Sequence, residues 1–257
     1  MIDFIVFIGV LFFLRKENIK KRTIALLLFA FNPAIILDGP IWGQVDLLYS
    51  FMLLTILFLI SNPFLAGTIF SLAMLAKFQS IVIPPIVGIY FLLQIFRLKV
   101  LKSIMYFIFG FIIPWELIAC FFSLKGSFLN VLKQAYLSAV GLWPEVSSNA
   151  ANIWFYLLGI SPTTKDSQIF FGEITFKQIG LLLFDLAVLY VVVYLCVSKS
   201  LDTIKLLKAA AAICFFFFML PTQMHERYSF PVAVFLIIIN LYDTKWLKNI
   251  NWNNSIF

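Results

Sequence analysis

Apolar and polar positions along this chain come in long blocks. Apolar runs recur at about 1–14, 23–37, 46–61, 63–76, 80–96, 103–122, 178–198, 205–220 and 229–242, separated mostly by short polar knots. Such runs are read as helices, because an isolated strand in lipid leaves its backbone groups unpaired. Several fall short of the roughly 20 residues that span a bilayer. The runs 63–76 and 80–96 read either as two crossings or as one re-entrant pair, and both return the chain to the side it left. The pattern predicts an all-α integral membrane protein of about 8–9 transmembrane or re-entrant helices. No internal repeat or linker divides it, so residues 1–257 are read as a single multi-spanning domain.

The one long interruption is 123–177. Within it, Phe128, Leu132, Ala135, Tyr136 and Ala139 recur at three- and four-residue steps, which predicts a helix lying in the interface with one face in lipid. Composition agrees with a membrane setting. The chain is 63% hydrophobic and 12% charged, against about a quarter charged in soluble domains. The three cysteines, Cys120, Cys196 and Cys214, lie in or beside apolar segments without metal-type spacing, so neither a disulfide nor a zinc site is expected.

A net charge of +7 raises nucleic acid as a partner, but the cations sit in short clumps between apolar runs and form no basic face. They fit the positive-inside rule instead. With the "RKENIKKR" loop placed in the cytoplasm and the side alternating at each run, thirteen of the 19 basic residues fall inside, Lys99, Lys245 and Lys248 among them. Lys77, Lys125, Lys133, Lys165, Lys177 and Arg227 fall outside. This topology brings "DGPIWGQVD" (38–46), "KFQ" (77–79), the segment 123–177 and "TQMHERY" (222–228) to one outer face, where distant polar groups can meet. The first run, with its charges after the apolar stretch and not before it, is no signal peptide. At about fourteen residues it reads as the tail of a longer helix.

Three polar knots carry chemistry. In "MHERY", Arg227 suits a phosphate as a planar fork, and His225, the only histidine, donates a hydrogen bond or carries a proton near neutral pH. Glu226 is placed to pair with Arg227 and orient it. A plain solvated loop is the competing explanation. In "GPIWGQVDLLY", Trp42 reads as an interfacial anchor. Gln44 and Asp46 suit sugar hydroxyls or, more weakly, a divalent cation; Asp46 also gains simply from opening a helix. In "LAMLAKFQSIVIPP", Lys77 is either a snorkelling lysine or a second phosphate-binding cation beside Arg227, with Gln79 next to it. Asp185 and Glu116 are intramembrane carboxylates and candidates by that fact alone, with a helix-contact role as the alternative.

Taken in order, "NPAIILDGPIWGQVDLLY", "LAMLAKFQSIVIPP", "SSNAANIW" and "MHERYSFP" resemble the successive motifs of bacterial PIG-V-type mannosyltransferase-like proteins and neighbouring polyprenyl-phosphate-sugar glycosyltransferases of the GT-C fold. The resemblance covers most of residues 30–231. It implies a transferase acting on the outer face of the plasma membrane. The sugar, mannose by resemblance, passes from a polyprenyl-phosphate donor to a glycan, lipid or protein acceptor, with no cofactor. It singles out Asn32, Trp42, Gly43, Gln44, Asp46, Lys77, Gln79, Asn149, Asn152, Trp154, His225, Glu226, Arg227 and Tyr228. Arg227, Lys77 and His225 would hold the donor phosphate, and Gln44, Gln79, Glu226, Trp42, Asn149, Asn152 and Tyr228 would bind or orient sugar and acceptor. Phe78 stands where relatives tend to have proline. The acidic residue that such enzymes carry in their first outer loop has no counterpart here. The catalytic base is therefore unknown, with Asp46 a candidate, and the chain is expected to be the C-terminal part of a longer enzyme, or a diverged relative, that does not turn over by itself. A transporter or flippase for a lipid phosphate is the alternative from another class; a structural membrane subunit is a third.

Overall fold

The computed structural model describes residues 2–98, 101–137, 141, 143–158 and 163–243, and these are mostly helical. Ala139, Lys99, Lys245 and Lys248, used above, lie outside the described residues. The chain opens with α1 (Ile2–Phe13), a tight turn, and α2 (Ile19–Ala30). Asn18 caps α2 by accepting from the Lys21 N–H at 2.9 Å.

The run 23–37 does not continue as one helix. Pro33 lacks an N–H and disfavours helical backbone at the residue before it. The chain therefore breaks at Phe31, and Asn32 caps a new short helix, α3 (Pro33–Ile36), through the Ala34 N–H at 2.9 Å. A π-helical turn, Leu37–Ile41, follows, and α2 meets this second piece at a bend of 49°.

Then come α4 (Asp46–Phe58), α5 (Pro63–Ala76), α6 (Pro84–Leu98) and α7 (Lys102–Leu124). α5 fills its apolar run, because Asn62 and Pro63 supply the cap and first position. The run 80–96 starts late: residues Phe78–Val82 form a 3-10 turn, and the helix begins at Pro84. α4 is the axis of the bundle. Leu47, Leu53, Leu54, Ile56 and Leu57 on it are at most 1% exposed, packed among α1, α5, α11 and α12. α5 and α7 lie backbone to backbone. A Cβ added at Gly67 would stand 2.1 Å from the Phe107 carbonyl oxygen, and one at Gly110 2.1 Å from that of Phe64. Small residues permit this approach between apolar helices, where van der Waals packing has to supply the attraction.

The interruption 123–177 holds a short helix, α8 (Phe128–Leu132), continued by a π-helical turn, Lys133–Leu137. Phe128, Leu132 and Tyr136 are half-buried, while Ala135 is exposed. Farther on lie strand β1 (Ser147–Ser148), helix α9 (Ile153–Leu158) and a hairpin of β2 (Ile169–Phe171) with β3 (Ile174–Thr175). A capping box between Thr175 and Gln178 starts α10 (Phe176–Val197). Asp202 caps α11 (Thr203–Met219), and β4 (Met224–His225), a 3-10 turn and α12 (Phe230–Tyr242) close the described chain.

Two helices, α7 with 23 residues and α10 with 22, are long and apolar enough to cross a membrane, or three spans in all if the bent α2–α3 unit is one. α4, α5 and the apolar part of α6 are shorter than a straight span.

Candidate functional site

Polar knots far apart in sequence collect at one end of the bundle. Gly43 supplies a backbone φ of +66° after Trp42, which turns the chain out of the π-helical segment and sets Gln44 just before α4. The α12 side contributes Arg227 from the 3-10 turn Glu226–Ser229. Its Nη1 donates to Gln44 Oε1 at 2.8 Å, across 183 positions of sequence. Gln44, not Glu226, is thus the group that orients Arg227. Glu226 is about half exposed, with a carboxylate oxygen 4.0 Å from His225 Nδ1.

One helical position past Val45, Asp46 is 1% exposed and forms an ion pair with Lys77, which follows the last residue of α5. The Lys77 ammonium also lies 5.3 Å from the Tyr49 ring centre and 5.6 Å from that of Tyr228. Burial pulls the Lys77 pKa down to about 8, Arg227 pushes the same way, and the Asp38 carboxylate opposes both.

Asp38, not weighed individually from sequence, belongs to this cluster. It is 3% exposed on the π-helical turn. With Trp42, Glu226 and Arg227 it lines a cavity of about 180 Å3, whose apolar walls include Leu37 and Phe230. The Arg227 Nε is buried and makes no hydrogen bond among the described residues. Asp46 is not among the cavity's lining residues.

His225 packs edge-on against Trp143 and Tyr228, with ring centres at 6.2 and 5.6 Å. Burial lowers its pKa, and Arg227 adds to the effect; Glu226 and Glu145 pull the other way. Its imidazole is therefore neutral at pH 7 and available as a hydrogen-bond donor.

The "SSNAANIW" motif is built into a latch over this end. β1 pairs in parallel with β4, Ser148 opposite His225, and Asn149 bridges to His225 with a φ of +59°. Asn152 is fully buried, and its Oδ1 accepts from the Phe155 N–H at 3.3 Å at the start of α9. Trp154 Nε1 donates to the Leu220 carbonyl at 2.8 Å, at the end of α11. Asp166, also missed from sequence, holds the latch shut: its buried carboxylate accepts from Thr222 Oγ1 at 3.1 Å and Gln223 Nε2 at 2.7 Å. Gln223 is kept at φ +64°, a conformation that costs a non-glycine residue and persists where neighbours fix it. Nothing local in "TTKDSQ" ties Asp166 to a loop more than fifty residues away.

Of the remaining candidates, Gln79 is half-buried in the 3-10 turn and makes no hydrogen bond to either pair among the described residues. Trp42 is 57% exposed at the cavity rim. Asp185 and Glu116 lie on exposed faces of α10 and α7, away from the cluster. Among the described residues no group of three or more His, Cys, Asp or Glu gathers as a metal site. Comparison with known proteins finds no family model, no curated protein and no solved structure that matches the chain.

Proposed function

We propose that this chain is a glycosyltransferase of GT-C-like build. It moves a sugar, mannose or a close relative, from a polyprenyl-phosphate donor to a glycan, lipid or protein acceptor. On this reading about 8–9 helices cross or re-enter the plasma membrane, the shorter ones by breaking or by thinning the bilayer. The polar end faces outward, and the helix at 128–132 lies in the interface.

One observation carries the reading. Arg227 is held by Gln44 at one nitrogen, keeps a buried Nε without a partner, and lines a cavity with polar and apolar walls. A guanidinium so placed is preorganised for an anion whose tail stays in lipid.

The reaction follows from that placement. The acceptor hydroxyl attacks the anomeric carbon, and the bond from that carbon to the donor phosphate oxygen breaks with its electron pair leaving on the phosphate. Arg227 and Lys77 receive that charge, and neutral His225 donates a hydrogen bond. Lys77 couples the two halves of the reaction: as it turns to the phosphate it leaves Asp46, whose freed carboxylate takes the acceptor proton.

The test is sugar transfer in detergent, where no compartments exist. Arg227→Ala is expected to lower turnover about a hundredfold or more, with a fold like that of the parent chain. Parental turnover in this variant would end the phosphate assignment. The transporter reading requires polar groups facing the bundle interior at mid-depth, whereas Asp185 and Glu116 lie on exposed faces. Movement of lipid across vesicles with no sugar transfer would nevertheless favour it. Orientation is tested separately: a labelling reagent confined to the cytoplasm should reach Asn18→Cys and miss Gln223→Cys.

A further inference from the structure

The opposite end of the bundle holds a larger cavity, of about 260 Å3, between α6, the end of α10 and the start of α11. Tyr90, Leu93 and Gln94 line it from α6, and Lys199 and Leu201 from the α10–α11 turn. Arg97 stands at its rim. The Arg97 guanidinium donates to the carbonyls of Cys196 at 2.8 Å and Ser198 at 3.1 Å, so it satisfies the orphan carbonyls that end α10 and offsets the negative pole of that helix. Lys205 reaches back to the Ser200 carbonyl at 2.9 Å and fixes the turn from the other side. This leaves the Lys199 ammonium exposed, with no acidic partner among the described residues. Asp202, the nearest acid in sequence, caps α11 and lies 4.0 Å from Lys205.

Depth and charge decide what fits. α10 is 22 residues long, about 33 Å at 1.5 Å per residue, enough to cross the hydrocarbon layer of about 30 Å. The turn after it therefore lies at headgroup level. The cavity is smaller than the roughly 300–1,000 Å3 of pockets that enclose a whole drug-sized ligand. It accommodates a polar headgroup and leaves the tails outside, along the exposed Phe96 and Val197.

We propose that this cleft binds the phosphate of an anionic membrane phospholipid. Lys199 contacts the phosphate, the Ser200 hydroxyl, which accepts from the Lys205 ammonium at 3.2 Å, donates to the rest of the headgroup, and Arg97 is a positioning residue that holds the turn. The site is separate from the Arg227 cluster and does not depend on the transferase reading.

The experiment is native mass spectrometry of the full chain in detergent, titrated with phosphatidylglycerol or with phosphatidylcholine of the same tails. Preferential retention of phosphatidylglycerol is expected. Lys199→Ala should weaken it about fivefold, and Lys199→Arg should restore it. Lys199 is exposed, so neither change threatens the fold. Lys16→Ala, at an exposed cation outside the cleft, should leave retention unchanged. Equal retention of the two lipids, or equal losses in the Lys16 and Lys199 variants, overturns the proposal. Displacement of the lipid by millimolar inorganic phosphate overturns the lipid as the ligand and assigns the cleft to a free anion.

Discussion

Asp46 and Asp243 each form an ion pair with a lysine, but at opposite ends of the bundle and in different surroundings. The Asp46–Lys77 pair is 1% and 15% exposed at its side chains, with Tyr49, Tyr228 and Arg227 around it. The Asp243–Lys208 pair, at 2.6 Å, has about a quarter of each side chain in contact with solvent, and its neighbours at that end, Glu17–Lys21 and Asp202–Lys205, are pairs one helical turn apart. Charges at the second end pair one helical turn apart or, for Asp243–Lys208, between helices, and all stay within reach of solvent. Those at the first end are taken out of water, beside an Arg227–Gln44 bond that spans 183 positions of sequence. Desolvation of that kind is costly, and a better-packed apolar pair would often serve stability as well. Its retention at the cavity end points to work done there.

That contrast is broken most directly by removing one partner. Asp46→Ala leaves the Lys77 ammonium buried without its carboxylate, and is expected to cost about 3–5 kcal/mol in unfolding free energy measured in detergent. Asp46→Leu combined with Lys77→Met should recover most of that loss while abolishing sugar transfer. If Asp46→Ala costs no more than Lys208→Ala, burial does not separate the two ends. Asp166→Ala comes next. It leaves Thr222 and Gln223 without their buried acceptor, at about 1–3 kcal/mol, and frees the loop that carries His225 and Arg227, so transfer should fall with stability. Unchanged transfer would show that the latch does not position the site.

A pH profile separates the ends without changing the fold. On the proposed reading Lys77 holds phosphate only when protonated, and burial pulls its pKa down to about 8. Transfer should therefore decline as pH rises through about 8, approaching tenfold per unit beyond it. Lys77→Arg, which keeps its charge, should flatten the decline. A profile that stays flat to pH 9 in the parent chain removes Lys77 from the phosphate.

Much of this was legible in the sequence. The helix at 63–76 could be read to the residue because its cap, first position and apolar run agree. The meeting of Gln44, Asp46, Lys77 and Arg227 followed from counting sides, since polar residues interrupting apolar runs have few places to go. Which of them pair was not legible. Arg227 bonds Gln44, and Glu226 lies nearer His225, a choice of partners that adjacency in sequence conceals. Asp166 lies in a stretch without periodicity, and its partners come from a loop that sequence order does not bring near. Asp38 was not singled out within "DGPIWGQVD", because residue order does not show the π-helical segment that folds its carboxylate inward.

The smallest effect is expected at Lys208. The pair with Asp243 is short at 2.6 Å, but solvent reaches both groups, and exposed pairs of this kind contribute about 0.2–1 kcal/mol. Lys208→Ala should lower unfolding free energy by no more than that, and the loss should shrink as salt is raised from 0.05 to about 0.5 M, since screening acts on what water can reach. Transfer by this variant should match the parent at every salt concentration. The Asp46→Ala loss, in contrast, should change little with salt, because its charges are enclosed. A salt-insensitive Lys208 effect larger than about 1 kcal/mol would place that end, too, out of water, and the asymmetry between the two ends would have to rest on chemistry alone.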